Sequence, residues 1–325
     1  MKQILVHHHG GPETLTLDEV PMPEPGPGEA LVALAASGVN FIDVYFRTGL
    51  YAAEAPTAIG SEAAGIVERV GREVTGLEPG DRVAYTMVRG SYAEYAVVPA
   101  ASLVPIPAEV SLELAAAVML QGTTAHYLTR STFPLDSSHT CLVHAAAGGL
   151  GSVLVQMAKA RGARVIGTVS TAAKAALVRS LGADETILYT EQDFETETMR
   201  LTDRRGVDVV FDSVGKTTFD KSLKVIRPRG LMALVGQSSG PVAPVDPGTL
   251  VQRGSLFLTR PSLAHHLLTR EELLWRAGEV LSLVGSGGLK VQISKSYPLA
   301  EAAQAHRDLE SRRTTGKLLL RPTQA

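Results

Sequence analysis

Apolar and polar positions alternate in short runs through the first third of the chain. The runs EALVALAASGV, EAAGIVERVG, GDRVAY and YAEYAVVP are separated by turn-forming clusters such as EPGPGE and LEPGDR. Short strands punctuated by glycine and proline predict a compact β-rich domain. From about Leu112 the spacing becomes helical, and beyond it strand-like and helix-like stretches take turns. CLVHAA, ARVIGTV, ETILY, VDVVFDSVG, GLMALVG and SLFLT read as strands, and GSVLVQMAKARG, TAAKAALVRSLG and TTFDKSLKVIRPRG as helices between them. Strands joined by crossover helices predict an α/β, doubly wound parallel sheet. After Thr259 come a helix in REELLWRAGEVLSLVGSG, a run KVQISKSYPL, a helix in AEAAQAHRDLESR and a closing strand TGKLLL. A tail this short holds no core of its own and is expected to pack back on the first domain.

The length of 325 residues suits about two domains with a large buried core. Lys plus Arg number 31 against 33 Asp plus Glu, so there is no basic footprint and nucleic-acid binding gains no support from charge. Cys141 is the only cysteine. That excludes an intramolecular disulfide and a thiolate-rich zinc site and suits a reducing cytoplasm. No run of apolar residues is long enough to span a bilayer, and MKQILVHHHGG lacks the apolar core of a signal peptide, so a cytoplasmic, non-membrane protein is expected. The three histidines His7 to His9 invite a metal reading, but neighbours on an extended segment point to opposite faces and rarely converge.

The chemistry centres on HAAAGGLGS, which follows the apolar strand CLVH and opens an amphipathic helix. It departs from the dinucleotide fingerprint G-x-G-x-x-G in that Ala146 stands at the first glycine. An alanine is tolerated there if its φ stays negative. Gly148, Gly149 and Leu150 would offer backbone N–H groups to a pyrophosphate at the helix N-terminus, and Gly151 would permit close helix–strand packing. A glycine-rich helix start with no ligand is the plain alternative. At the end of the second strand an NAD enzyme places an acid for the ribose hydroxyls. Here the chain runs Val169, Ser170, Thr171, Ala172, Ala173, Lys174. An acid would repel a 2′-phosphate, whereas Ser170, Thr171 and Lys174 would attract one, so NADPH is the expected cofactor. The plain alternative for Lys174 is a solvated lysine in a helix's first turn.

The phrases HGGPETL, ASGVNFIDVYFRTGLY, GSEAAGIVERVG, LEPGDRVAY, HAAAGGLGS, VFDSVG, GQSSGP, FLTRPSL and ESRRTTGKLLL run in order from His9 to about Leu320. Together they resemble the zeta-crystallin-like quinone oxidoreductases of the medium-chain dehydrogenase/reductase superfamily. The resemblance implies a GroES-like catalytic domain from residues 1–122, a Rossmann NADPH-binding domain over 123–260, and a segment 261–325 returning to the catalytic domain. It further implies a cleft for NADPH and pairing into homodimers or tetramers through the edge of the nucleotide domain. Zinc-dependent relatives carry a cysteine where this chain has Asn40 and a histidine where it has Ser61, and they insert a four-cysteine lobe that is missing here. Glu62 alone does not hold Zn²⁺, so no metal is expected.

Without a Lewis acid, the substrate is expected to be an acceptor already electrophilic, a quinone or another electron-poor small molecule. The resemblance places Asn40, Phe41, Ile42, Asp43 and Tyr45 beside the nicotinamide and Tyr51 over the acceptor. Tyr45 and Tyr51 could stack a flat acceptor and offer O–H groups; packing is their alternative, and helix capping is that of Asp43. The resemblance also puts Tyr127 and Tyr189 against the cofactor, Ser213, Gly236, Gln237 and Ser238 under its ribose and nicotinamide, and Thr259 and Arg312 at the closing side. Quinone reduction leads. NADPH-dependent reduction of alkenals or enones is the rival within enzymes, and an NADPH-binding protein with little turnover, of the kind that binds RNA, is the rival of another class.

Overall fold

The structure, a computed structural model, describes residues 1–322; residues 323–325, the end of the expected C-terminal segment, lie outside it. The chain divides into two compact units, one of Met1–Thr123 together with the chain from Leu267 onward, the other of Thr124–His266. No helix among the described residues is long and apolar enough to cross a membrane.

The first unit opens with β1 (Lys2–Val6), β2 (Leu15–Glu19), β3 (Glu29–Val39), helix α1 (Phe41–Arg47) and β4 (Thr57–Ala58). It continues through β5 (Glu62–Val70), β6 (Arg82–Thr86), β7 (Tyr95–Pro99), β8 (Val104–Pro105) and α2 (Leu112–Tyr127), whose last turn belongs to the second unit. That second unit holds β9 (Thr140–Val143), α3 (Gly149–Ala160), β10 (Arg164–Val169), α4 (Ala172–Ser180), β11 (Glu185–Leu188) and α5 (Phe194–Leu201). It ends with β12 (Val207–Asp212), α6 (Phe219–Ser222), β13 (Ile226–Leu234), α7 (Pro247–Gln252) and β14 (Phe257–Thr259). The chain then returns to the first unit with α8 (Arg270–Gly285), β15 (Ile293–Pro298), α9 (Ala302–Glu310) and β16 (Lys317–Arg321).

The second unit is the doubly wound sheet the pattern predicts. Its strands lie in the order β11-β10-β9-β12-β13-β14, all parallel. This is the Rossmann order, with the direction of winding reversing between β9 and β12. Every residue of β12 is buried, as expected of a strand covered by helices on both faces. Its Asp208 is buried too, and is held by Arg205 at 2.8 Å, Arg227 at 2.5 Å and the N–H of Thr140 at 2.8 Å. One expected helix is mostly something else. TTFDKSLKVIRPRG yields only the single turn α6, and from Ile226 it is strand. Pro228 has no N–H to continue a helix and Arg229 adopts φ 60°, so the two lie in a bulge where β13 shifts register against β12.

In the first unit β16 pairs antiparallel with β3 in register Leu318↔Val39, and β3 pairs in turn with β5 and β7. Ile4, Val6, Val39, Tyr92, Tyr297 and Leu320 share one core, so residues from both ends of the chain bury one another.

Candidate active site

In the second unit the loops at the carboxyl edge of the sheet meet where its winding reverses. Ala145 is left-handed at φ 51°, and the N–H of Gly148 bonds to its carbonyl at 2.9 Å. Ala146 is not among the positive-φ residues, and its N–H donates to Thr168 O at 3.1 Å, which explains why no glycine is needed there. A Cβ on Gly151 would stand 2.7 Å from Ala146 Cα, so only glycine lets α3 approach the loop this closely. Gly148 is the N-cap of α3 and has no side chain, which leaves the first-turn N–H groups, those of Gly149 and Leu150 included, without a side-chain cap. A concavity beside them is lined by His144, Leu150, Gly151, Phe211, Ser213 and Val235. His144 is buried, within hydrogen-bond distance of Thr168 Oγ1 (3.0 Å) and Ser222 Oγ (2.9 Å), and burial holds it neutral by lowering its pKa.

The loops after β12 and β13 are laced together. Gly236 N–H donates to Asp212 O at 3.1 Å and Ser238 N–H to Ser213 O at 3.2 Å, which brings Ser213, Gly236, Gln237 and Ser238 to one place. Thr259 ends the neighbouring β14, opposite Ala233. At the ends of β10 and β11, Tyr189 N–H donates to Val169 O at 3.1 Å and Thr190 Oγ1 to Ser170 O at 3.0 Å. Thr171 caps α4 through the N–H of Lys174 at 3.2 Å, and partial burial lowers the pKa of the Lys174 ammonium. Ser170, Thr171, Lys174 and Tyr189 are therefore neighbours, and residues 169–174 include no carboxylate. Tyr127 is buried and stacks flat on His266 at 4.0 Å. Arg312 belongs to the first unit, left-handed at φ 60° just after α9.

In the first unit the expected residues gather on α1. Asn40 is its N-cap, and its backbone N–H donates to Asp43 Oδ2 at 3.0 Å, half of a capping box. Asp43 does more than cap. Its Oδ1 accepts from Ser61 Oγ at 2.6 Å and its Oδ2 from Tyr92 Oη at 3.1 Å. Burial raises its pKa to about 6, against the lowering effect of Ser61 and Lys317. Tyr51 N–H donates to Tyr45 O at 3.0 Å, and the two rings meet edge to face at 5.2 Å. Phe46 packs on Tyr51 at 5.7 Å and Phe41 on Tyr45 at 6.4 Å, so α1 presents a small aromatic cluster.

Beneath that cluster lies a lattice of buried polar side chains. The Lys317 ammonium, 1% exposed, donates to Asn40 Oδ1 at 2.7 Å and to Glu62 Oε1. Asn40 Nδ2 donates to the same Glu62 oxygen at 2.7 Å, and Glu62 Oε2 accepts from Leu120 N–H at 2.6 Å. Gln121 Nε2 adds a bond to Asn40 Oδ1 at 3.3 Å, so the amide's orientation is fixed from both ends. Any side chain on Gly38 would run into the Glu62 carboxylate. A second chain leads away from Asp43. Arg47 Nη1 can only donate, so His306 Nδ1, at 3.0 Å, is the acceptor. His306 Nε2 therefore carries the proton and donates to Tyr92 Oη at 3.1 Å, and Tyr92 passes its own proton toward Asp43. Burial and Arg47 push the His306 pKa down to about 3, and Arg47 is itself paired with Glu310 at 2.6 Å.

Lys317, Tyr92, His306 and Arg47 belong to no candidate constellation visible in the sequence. A signal existed for the first. GSEAAGIV and GKLLL each place a charge at the start of an apolar strand, and buried charges of opposite sign need one another.

Two family models match the chain: an alcohol dehydrogenase GroES-like domain over residues 26–108 and a zinc-binding dehydrogenase over 181–320. Together they define the two-part build of the medium-chain dehydrogenases/reductases. A quinone oxidoreductase of Pseudomonas aeruginosa is 47% identical over 99% of each chain. The structure of Escherichia coli quinone oxidoreductase complexed with NADPH superposes with a TM-score of 0.97 at 44% identity, covering 99% of this chain and 100% of that one. A 2-haloacrylate reductase of a Burkholderia species is 41% identical over 98% of each chain. The chain belongs to the quinone oxidoreductase family.

The zinc in the second model's name does not suit these residues. Asn40 and Ser61 are poor zinc donors, and the Glu62 carboxylate already accepts from the Lys317 ammonium. No cluster of three or more His, Cys, Asp or Glu suited to a metal occurs among the described residues. The site is organised around an ammonium, where a divalent cation would be repelled. The glycine-capped start of α3 and the acid-free end of β10, by contrast, are suited to a phosphorylated dinucleotide.

Proposed function

We propose that this protein reduces quinones with NADPH and without a metal. The reading rests on one observation above all: the end of β10 offers Ser170, Thr171 and Lys174 and no carboxylate, a set for a 2′-phosphate, beside a glycine loop built for a pyrophosphate. The NADPH complex of the Escherichia coli relative supports it. When bound, NADPH supplies a hydride; the quinone takes up that hydride and a proton from water to become the hydroquinone. The chain's own contribution is placement and polarity. Gly149 and Leu150 lend N–H groups to the pyrophosphate, while Gly148, whose own N–H is spent on Ala145 O, gives the cofactor close backbone approach, and Tyr189 lies toward the adenine. Ser213, Gly236, Gln237 and Ser238 support the ribose and nicotinamide, with Tyr127, Thr259 and Arg312 completing the cofactor site. Asn40, Phe41, Ile42 and Tyr45 shape the nicotinamide side, and Tyr51 stacks the acceptor. Asp43, fully engaged by Asn40, Ser61 and Tyr92, acts by positioning α1.

A second reading, reduction of an activated carbon–carbon double bond, draws on the 2-haloacrylate reductase relative. We further infer a cytoplasmic homodimer. Cys141 is a free, buried thiol, which suits a reducing compartment, and edge strand β14 with α7 exposes Phe257 and Val251, 63% and 70% accessible, as a surface for a second copy.

Steady-state oxidation of NADPH and NADH against quinones and enones, with a chelator present, tests the reading. Turnover of quinones with NADPH, indifferent to chelation, is expected. Lys174→Glu should raise KM for NADPH about tenfold, the equivalent of about 1.4 kcal/mol, and leave NADH nearly unaffected. Better use of NADH by the unaltered enzyme would refute the 2′-phosphate argument, and faster turnover of enones than of quinones would favour the second reading.

A further inference from the structure

The loop between β6 and β7 carries a cation the proposed reaction does not employ. Arg89 is exposed, and its guanidinium carbon stands 5.1 Å from the centroid of the Phe46 ring. Phe46 in turn packs against Tyr51, and Tyr51 against Tyr45, so the guanidinium continues the aromatic cluster of α1. The loop is built, not slack. Met87 N–H donates to Ser61 O at 2.8 Å and Gly90 N–H to Gly60 O at 3.0 Å, while Met87 is held left-handed at φ 64°. A non-glycine residue in that region is strained, which the surrounding bonds must offset.

Several other arginines of the same unit are occupied. Arg47 is bonded to Glu310, Arg69 to Glu24, Arg321 to Glu113, and Arg82 and Arg270 to backbone carbonyls. Among the described residues Arg89 makes no hydrogen bond and no ion pair. A guanidinium laid against an aromatic ring keeps the N–H groups on its rim available, and their planar fork matches a carboxylate. Aromatic surface for a flat, electron-poor body thus adjoins an uncommitted site for one negative charge.

We propose that Arg89 is a specificity residue selecting acceptors that bear a carboxylate next to the reducible ring or double bond. The proposal rests on the reading of Tyr45 and Tyr51 as the acceptor side. Its test compares a 1,4-benzoquinone carrying a short carboxyalkyl chain with the methyl ester of the same compound, in the unaltered enzyme and in Arg89→Gln, Arg89→Glu and Arg89→Lys. The readout is the ratio of kcat/KM for acid over ester, which cancels any difference in folded enzyme. Loss of one partly exposed charge-assisted contact should lower the ratio about fivefold in Arg89→Gln. The ratio should fall further in Arg89→Glu, be largely restored in Arg89→Lys, and decline with rising salt in the unaltered enzyme. An equal ratio in all four proteins overturns the proposal while leaving quinone reduction standing. Failure of the unaltered enzyme to reduce either compound overturns the acceptor reading and this inference with it.

Discussion

Around the loop from His144 to Gly151 the surface offered to a ligand is nearly all backbone, whereas around Asn40 it is supported almost entirely by side chains. The first works because atoms are missing: glycine at the cap of α3 and at its close approach to Ala145 and Ala146. The second works because every atom present is engaged, with Lys317, Glu62, Asn40, Asp43, Tyr92 and His306 each buried and bonded. The two regions should therefore fail differently, one when atoms are added and the other when they are taken away.

The largest effect is expected from removing the ammonium. Lys317→Met leaves Glu62 charged and unpaired in the core and should cost about 3–5 kcal/mol in urea-induced unfolding. Combining it with Glu62→Gln should recover much of that loss, since the two side chains act as one unit. If the double variant is as unstable as the sum of the singles, the lattice is not the coupled object described above.

Next comes pH. The carboxyl of Asp43, held at about 6 against an unfolded value near 3.8, makes the folded state bind more protons, so its contribution is present below about pH 4 and lost as pH rises to about 6. His306, held at about 3 against 6.5, does the reverse, and its contribution is lost as pH falls from about 6.5. Between pH 4 and 6 the two slopes oppose each other. Relative to the unaltered protein, Asp43→Asn should gain stability with rising pH in that window, and His306→Gln should lose it, each by about 1.4 kcal/mol per pH unit. Parallel profiles for all three proteins would show that neither group titrates as its surroundings require.

The smallest effect concerns added atoms in the glycine loop. Gly151→Ala forces α3 away from Ala145 and Ala146 and should cost about 1–3 kcal/mol of stability. Calorimetric titration should show weaker NADPH binding as well. Unchanged affinity would mean that the close approach serves packing alone.

The same contrast explains what the sequence disclosed. Parallel strands buried on both faces are continuous apolar runs, so CLVHAA, ARVIGTV and VDVVFDSVG were legible as a doubly wound sheet. A glycine cluster between strand and helix is local, and so was legible too. TTFDKSLKVIRPRG has a helical spacing that masks Pro228, the residue that marks the bulge. The polar lattice was largely hidden. Lys317 meets Glu62 across 255 residues and Arg47 meets His306 across 259, and no periodicity connects positions so far apart. The left-handed turn likewise fell on Ala145, one residue before the position the fingerprint draws attention to.

The pairing of β16 with β3 has a consequence for biosynthesis. The nucleotide-type unit is a continuous segment and can complete its sheet while the ribosome is still at work. The first unit cannot, because Asn40 must wait 277 residues for Lys317. Until then Glu62 has no counter-charge and β3 has an open edge, so the nascent chain carries its greatest exposure to misassembly in the portion made first.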